Sequence, residues 1–292
     1  MSATSPLFLV GTGRCGSTIL YSCLSAHPDL AWVSSWMTVA PRWPSIAMAH
    51  RFWDLPGTTR FRETRFFPRP SEPERIFPSW LETYAEERVT AESLEDARRV
   101  LPHFVELVKR YHGKPRFLTK MVGRPVKTAI LAAVFPDALF VHVTRDLFPT
   151  VSSLMRVEFY DPSSGLDPWP WGTIPHDYRE YYEHTGRTPE VAAAIKVRLN
   201  RIEQERQLST LNPSQRLEVP YADFVAAPEE GIRTIAQAAR LPLSPTFLRR
   251  MKHWNVYGGA DAQWRKHFDA DQVRRLEGFA ELPERDPAAP QG

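Results

Sequence analysis

The residues best equipped for chemistry stand in one run near the start of the chain, Gly11-Thr12-Gly13-Arg14-Cys15-Gly16-Ser17-Thr18. Glycines let a backbone wrap closely round a bound group, and Arg14, Ser17 and Thr18 add a guanidinium and two hydroxyls as donors. The apolar residues 7–10 precede the run. An apolar helical pattern of Ile19, Leu20, Cys23 and Leu24 follows, as far as His27-Pro28. Strand, glycine-rich turn and helix N-terminus make an anion site, because the first-turn N–H groups are unpaired and the helix dipole favours negative charge. The run is read as holding a phosphate or a phosphate-like group.

Two nucleotide motifs fit it incompletely. Gly11, Gly13 and Gly16 match G-x-G-x-x-G, but the dinucleotide version also wants an acidic residue about 20 residues on, at the end of the second strand. Here Asp29 falls before the next apolar run, which ends in Ser34-Ser35. The pattern G-x-x-x-x-G-K-[ST] fits from Gly11 to Thr18 except that Ser17 replaces the lysine, with a cation earlier, at Arg14. A second cluster lies where the almost wholly apolar residues 139–144 end in Arg145-Asp146, with Ser153 eight residues after the arginine. Arginine offers a fork of donors matched to phosphate, and a serine one or two helical turns on reaches the same oxygens.

GTGRCGST resembles the 5'-phosphosulfate loop of sulfotransferases, especially in the carbohydrate and tyrosylprotein branches, where the cation is arginine. The strand ending in Arg145, with Ser153 on the next helix, resembles their 3'-phosphate site. Residues 216–243, RLEVPYADFVAAPEEGIRTIAQAARLPL, resemble the strand, Tyr-x-Asp step and helix that set a tyrosine near the adenine; Tyr221 maps there. Residues 259–268, GADAQWRKHF, resemble the C-terminal segment that closes over the nucleotide. Tyr257-Gly258 stands where the cytosolic branch carries Arg-Lys, which leaves Arg265, or Lys266, as the phosphate contact of that segment. The four matches run in family order across residues 7–268. The chain is identified as a member of the sulfotransferases that use 3'-phosphoadenosine-5'-phosphosulfate (PAPS).

The resemblance implies transfer of a sulfuryl group from PAPS to a hydroxyl or amine of a small-molecule, lipid or sugar acceptor, with 3',5'-bisphosphoadenosine leaving. Arg14 would stabilise charge on the bridging oxygen. Lys120, similar to the active-site lysine of the tyrosylprotein branch, would act on the sulfuryl group. Thr12, Gly13, Arg14, Cys15, Gly16, Ser17 and Thr18 would hold the 5'-phosphate, and Arg145 and Ser153 the 3'-phosphate. No divalent metal is expected, since these donors replace Mg²⁺. No base is implied: Met121 stands where the cytosolic branch has a histidine, and Ser34-Ser35-Trp36 where other branches have a glutamate just after strand two. His50, Asp54, Glu63 and Glu158 are candidates, whereas His27 and His142 read as structural. The alternatives are a kinase of the same superfold, weakened by the missing lysine, and a non-catalytic nucleotide-binding protein that keeps the fold.

These groups need elements that bring strand ends together. The 292 residues, 42% hydrophobic and 24% charged, can build a sizeable core. A net charge of +3 is too mild for nucleic acid but suits a polyanionic small molecule. Two cysteines give neither a disulfide framework nor metal-ligand spacing, and no signal peptide or membrane span is legible, so a cytoplasmic setting is expected. Apolar runs predict strands at 7–10, 31–34, 116–118, 139–144 and 217–219. Helices are predicted at 79–87, 91–111 (bent or interrupted by Pro102), 123–135, after Pro149, and at 189–208, 228–239 and 245–253. Residues 36–78 resist assignment, and 160–176 read as a loop rich in Pro, Gly and Trp. The aromatic-rich stretches 36–80 and 159–182 suit the walls of a pocket for an apolar or aromatic body bearing a hydroxyl, although sugars also stack on Trp. Strands alternating with helices predict an α/β single domain over residues 1–282, with a central parallel sheet of about five strands flanked by helices. The resemblance makes that the P-loop-NTPase-like sulfotransferase fold. Residues 283–292, polar and rich in Pro and Ala, are expected to form a disordered tail.

Overall fold

Five parallel strands form one sheet: β1 (Leu7–Gly11), β2 (Leu30–Trp32), β3 (Arg116–Val122), β4 (Leu139–Thr144) and β5 (Arg216–Pro220). The computed structural model describes residues 4–54, 68–84, 88–166, 169–170, 172–252, 256 and 261–285. The strand order is β2-β3-β1-β4-β5. β1 is therefore central, with Gly11 in register with Val122 of β3 on one side and Val143 of β4 on the other. Whatever follows Gly11 is flanked by the C-terminal ends of both neighbours. Open α/β sheets bind ligands at such a point.

The helices are α1 (Ser17–Ser25), α2 (Ser35–Val39), α3 (Ala91–His112), α4 (Pro125–Val134), α5 (Leu147–Leu154) and α6 (His176–His184). They continue with α7 (Pro189–Ser209), α8 (Tyr221–Ala226), α9 (Pro228–Ala239), α10 (Pro245–Met251) and α11 (Ala270–Ala280). Alternation along the strands divides the core. Leu7, Leu9, Leu118, Val141 and Val143 meet Leu20 and Leu24 of α1 and Ile232 and Ile235 of α9 on one face. Phe8, Val10, Phe117 and Phe140 meet Leu101, Phe104 and Val108 of α3 and Leu131 of α4 on the other. Each such large apolar side chain contributes about 1.5–3 kcal/mol on burial. A third cluster joins α5, α6, α7 and α11 through Val151, Tyr178, Ile195, Leu276 and Phe279.

Several expectations need correction. Residues 79–84 form no α-helix: the 3₁₀ turn Phe77–Ser79, with proline in its first turn, ends there and irregular turns follow, while 85–87 of the expected helix lie outside the described residues. Pro102 does not interrupt α3, because it lies on the exposed side, where water replaces the bond its missing N–H would have made. Within 36–78, α2 and a 3₁₀ helix, Pro44–Asp54, are present. Neither α6 nor α11 is among the expected helices. Of the expected tail, residues 286–292 lie outside the described residues; Pro283 and Arg285 contact Tyr178, whose hydroxyl donates to the Pro283 carbonyl and accepts from the Arg285 N–H. Among the described residues no helix is long and apolar enough to cross a membrane.

One non-local contact matters for the site. Residues 69–71 run antiparallel beside 33–35, the continuation of β2. Ser34 bridges Pro70, the Ser35 N–H donates to the Arg69 carbonyl at 2.8 Å, and the Ser71 N–H donates to the Val33 carbonyl at 2.9 Å. This strap returns the chain to the sheet's C-terminal edge.

Candidate active site

The loop after β1 is shaped by two glycines that nothing else could replace. A Cβ on Gly11, at φ 150, would lie 2.5 Å from the Val143 carbonyl oxygen. One on Gly16, at φ 91, would enter the Tyr221 ring at 2.1 Å. Arg14 holds φ 69, a left-handed conformation that costs a non-glycine residue energy and persists here at the centre of the polar cluster. Gly13, by contrast, faces open space, with nothing within 4 Å of its Cβ position. The Cys15 N–H closes the turn onto the Thr12 carbonyl at 3.3 Å, and its thiol, with a pKa raised by burial, points into the core. Cys15 therefore contributes loop shape and not a side-chain donor. α1 starts at Ser17 with no side-chain cap and no acidic residue in its first turn, which leaves its first N–H groups for a ligand.

Three cations from three strand ends surround this loop. Arg14 is exposed, and its Nε donates to Ser153 Oγ at 3.0 Å, a contact between residues 139 apart in sequence. Lys120, in register with Leu9 on the α1 side of the sheet, is buried, and its Nζ donates to Thr18 Oγ1 at 2.8 Å. Arg145, just past β4, donates from Nη1 to the Arg14 carbonyl at 2.9 Å, and its guanidinium lies 4.7 Å from the Tyr221 ring centre. Tyr221 opens α8 and is held between Gly16 and Arg145. Arg14, Thr18, Lys120, Arg145, Ser153 and Tyr221, singled out in separate stretches of sequence, thus meet at one place. Beside them, a cavity of about 510 Å³ opens against Thr12 and Arg145.

A sequence profile of the Sulfotransferase family matches residues 6–245. The chain belongs to the sulfotransferase family. It is an enzyme that takes a sulfuryl group from a donor cosubstrate and places it on a hydroxyl of an acceptor. Omega-hydroxy-beta-dihydromenaquinone-9 sulfotransferase Stf3 of Mycobacterium bovis is 24% identical over 294 aligned positions, covering 86% of this chain and 67% of that protein. Among solved structures, sulfotransferase STF9 of Mycobacterium avium superposes with a TM-score of 0.58 at 15% identity, over 99% of this chain and 79% of that one. The sulfotransferase domain of the Synechococcus olefin synthase superposes with a TM-score of 0.50 at 15% identity, over 96% and 97%. These likenesses establish the sulfotransferase fold.

Other residues of this sulfotransferase stand elsewhere than expected. Arg265 does not reach the loop: its Nη2 pairs with Glu277 of α11 at 2.7 Å and its guanidinium lies over Trp264, 4.6 Å from the ring centre. Among the described residues of that segment, Asp261 touches the cluster: its carboxylate takes both Nε (3.0 Å) and Nη2 (2.5 Å) of Arg145. His50 is no base candidate. It is buried between Trp32, on which it stacks at 4.6 Å, and His112 at the end of α3, with its Nδ1 2.5 Å from His112 Nε2. α3 leads directly into the start of β3, so this pair lies toward the edge opposite the loop. Burial, reinforced by Lys114, lowers the His50 pKa to about 3. Glu158 is exposed just past α5; Glu63 and the side chain of Asp54 lie outside the described residues. His142 is buried in β4 as expected, its pKa lowered to about 4 by burial, and His27 donates from Nε2 to the Pro242 carbonyl while its Nδ1 accepts from the Asp29 N–H.

Two residues at the site escape the sequence reading. Asp261 lies inside the matched closing segment, where a carboxylate is a readable signal. Glu72, whose carboxylate lies 2.5 Å from Lys120 Nζ, stands in a stretch with no periodicity, and no local signal marks it.

Proposed function

We propose that the donor is PAPS and that the loop after β1 binds its 5'-phosphosulfate end. The observation that carries this is the uncapped N-terminus of α1 facing Arg14, Lys120 and Arg145, cations delivered by the ends of β1, β3 and β4. Bound there, PAPS supplies an activated sulfuryl group. Ser17, Thr18 and the first-turn N–H groups hold the 5'-phosphate. Arg14 and Lys120 balance the charge that builds up as the sulfuryl group moves, the strongest stabilisation that such a site offers a transition state. Arg145 and Ser153 take the 3'-phosphate, and Tyr221 sits beside the adenosine. The fit is good with one exception: Asp261 occupies two donors of Arg145 and must yield them to a phosphate.

The acceptor carries its hydroxyl on an apolar body. Trp36, Val39, Trp43 and Met48, most of the exposed large hydrophobic side chains described, lie together just past β2. Two of them, Trp36 and Val39, line an open hollow of about 450 Å³ together with Ser45, Ile46 and Ala49. The Mycobacterium relative is named for a hydroxylated menaquinone, an acceptor of that kind. Two buried free thiols, Cys15 and Cys23, fit a reducing, cytoplasmic setting.

Calorimetric titration tests the donor assignment. 3',5'-Bisphosphoadenosine is expected to bind at least about tenfold more tightly than adenosine 5'-phosphate, since charged hydrogen bonds contribute about 1.5–3 kcal/mol each. Equal affinity for the two overturns it, as does tighter binding of ATP with Mg²⁺.

A further inference from the structure

We propose that Glu72 is the general base that takes the proton from the acceptor hydroxyl. This rests on the reading of the loop as the sulfuryl-donor site. The end of β2 offers only Ser34, Ser35 and Trp36, and the end of β3 offers Met121, which is buried in the core. The strap supplies what these positions lack. Its pairing of residues 69–71 with 33–35 carries residue 72 back to the sheet's C-terminal edge, where it precedes the 3₁₀ turn Pro73–Arg75. A carboxylate nearly 40 positions further along the chain thereby stands in space where β2 ends.

Glu72, Lys120 and Thr18 form one line. The carboxylate is 2.5 Å from Lys120 Nζ, and the same ammonium donates to Thr18 Oγ1 in the first turn of α1. Lys120 is closed off, with 5% of its side chain exposed, whereas 40% of the Glu72 side chain is open. A carboxylate accepts through two oxygens and about four lone-pair sites, so one ammonium does not saturate it. The exposed part of the side chain leaves room for an acceptor hydroxyl to donate. The neighbouring Tyr21 cannot serve as the base, because its buried hydroxyl donates to the Val33 carbonyl at 3.3 Å and burial raises its pKa, with Glu72 adding to the rise.

In the transfer step the acceptor O–H proton passes to the Glu72 carboxylate while the acceptor oxygen forms its bond to sulfur. The bond from sulfur to the 5'-phosphate oxygen breaks, and its electron pair leaves on 3',5'-bisphosphoadenosine. Lys120, shared between Thr18 and Glu72, keeps the donor and base sides in a fixed relation. Glu72 then releases its proton to water.

The test compares the wild type with Glu72→Gln, which keeps the shape and still accepts from Lys120. The probes are PAPS with dodecanol and with dodecylphenol, which share a tail but differ in acidity. The variant is expected to lose at least about 100-fold in kcat/KM for dodecanol and less than about tenfold for dodecylphenol. It should bind bisphosphoadenosine within about twofold of the wild type, and the acid limb of the pH–rate profile should vanish. A loss below about threefold for dodecanol overturns the proposal. So does an equal loss for both acceptors, which marks Glu72 as a positioning residue for Lys120. If Glu72→Gln does not melt cooperatively, Glu72→Asp decides: a retained acid limb with lowered kcat supports the proposal and a lost limb refutes it. If the wild type transfers to neither probe, the PAPS assignment falls as well; if it transfers to either, only the role of Glu72 is at stake.

Discussion

Arg14 concentrates the demands on this site: a left-handed backbone, an exposed guanidinium and a hydroxyl partner 139 residues away. No packing role accounts for it, so Arg14→Ala should leave the melting temperature nearly unchanged and lower kcat/KM at least tenfold, a loss of about 1.4 kcal/mol or more. Retention of more than a tenth of wild-type kcat/KM contradicts the role. Arg145→Ala should erase most of the preference for the 3'-phosphorylated nucleotide and Ser153→Ala less of it, because the guanidinium is the charged partner. Equal weakening for nucleotides with and without the 3'-phosphate speaks against both. Asp261 pairs with Arg145, and on the proposed placement of the 3'-phosphate Asp261→Asn is expected to tighten bisphosphoadenosine binding roughly threefold or more, in the range of one ion pair. Weaker binding in titration would show that Asp261 assists instead. At this scale Arg14, Ser17, Thr18, Arg145 and Ser153 are legible in the sequence, because a loop between an apolar strand and a helix needs little tertiary information. Glu72 is not, since its position depends on Ser34 meeting Pro70.

At the level of elements, legibility follows hydrophobic pattern. The sequence predicts β4 at 139–144 and α9 at 228–239, and both have those bounds, because their apolar residues follow a single period. α6, HDYREYYEH, escapes it because its buried positions are the tyrosines Tyr178 and Tyr182, polar enough to hide the helical stripe. The 3₁₀ helix Pro44–Asp54 and α3 meet around the His50–His112 pair, which carries a consequence for stability. His112 Nε2 also lies 2.8 Å from the Trp32 carbonyl, which can only accept, so that nitrogen carries the proton and both rings are neutral. Burial lowers both pKa values, that of His50 to about 3. Below about pH 6.5 the unfolded chain therefore takes up protons that the fold refuses, and stability is lost as pH falls, by about 1.4 kcal/mol per pH unit for each ring. His50→Phe keeps a ring on Trp32 and removes one such group. Its loss of stability between pH 6.5 and 5, measured by denaturant titration, should be shallower than that of the wild type by about that slope; parallel curves contradict it.

For the whole molecule, the order β2-β3-β1-β4-β5 is what turns separate motifs into one site, since it sets the β1 loop between the ends of β3 and β4. Alternating strands and helices predict a parallel sheet, but strand order depends on long crossovers that periodicity does not record. Arg14, Lys120 and Arg145 supply positive charge at the α1 N-terminus, where a nucleoside-triphosphate enzyme would recruit Mg²⁺. The most direct measurement is therefore turnover in excess EDTA. The protein is incubated with PAPS and dodecylphenol, and products are read by mass spectrometry. The expected result is 3',5'-bisphosphoadenosine and dodecylphenyl sulfate in equal amounts, at a rate unaffected by EDTA. No product from PAPS, or transfer from ATP that EDTA abolishes and Mg²⁺ restores, contradicts the account.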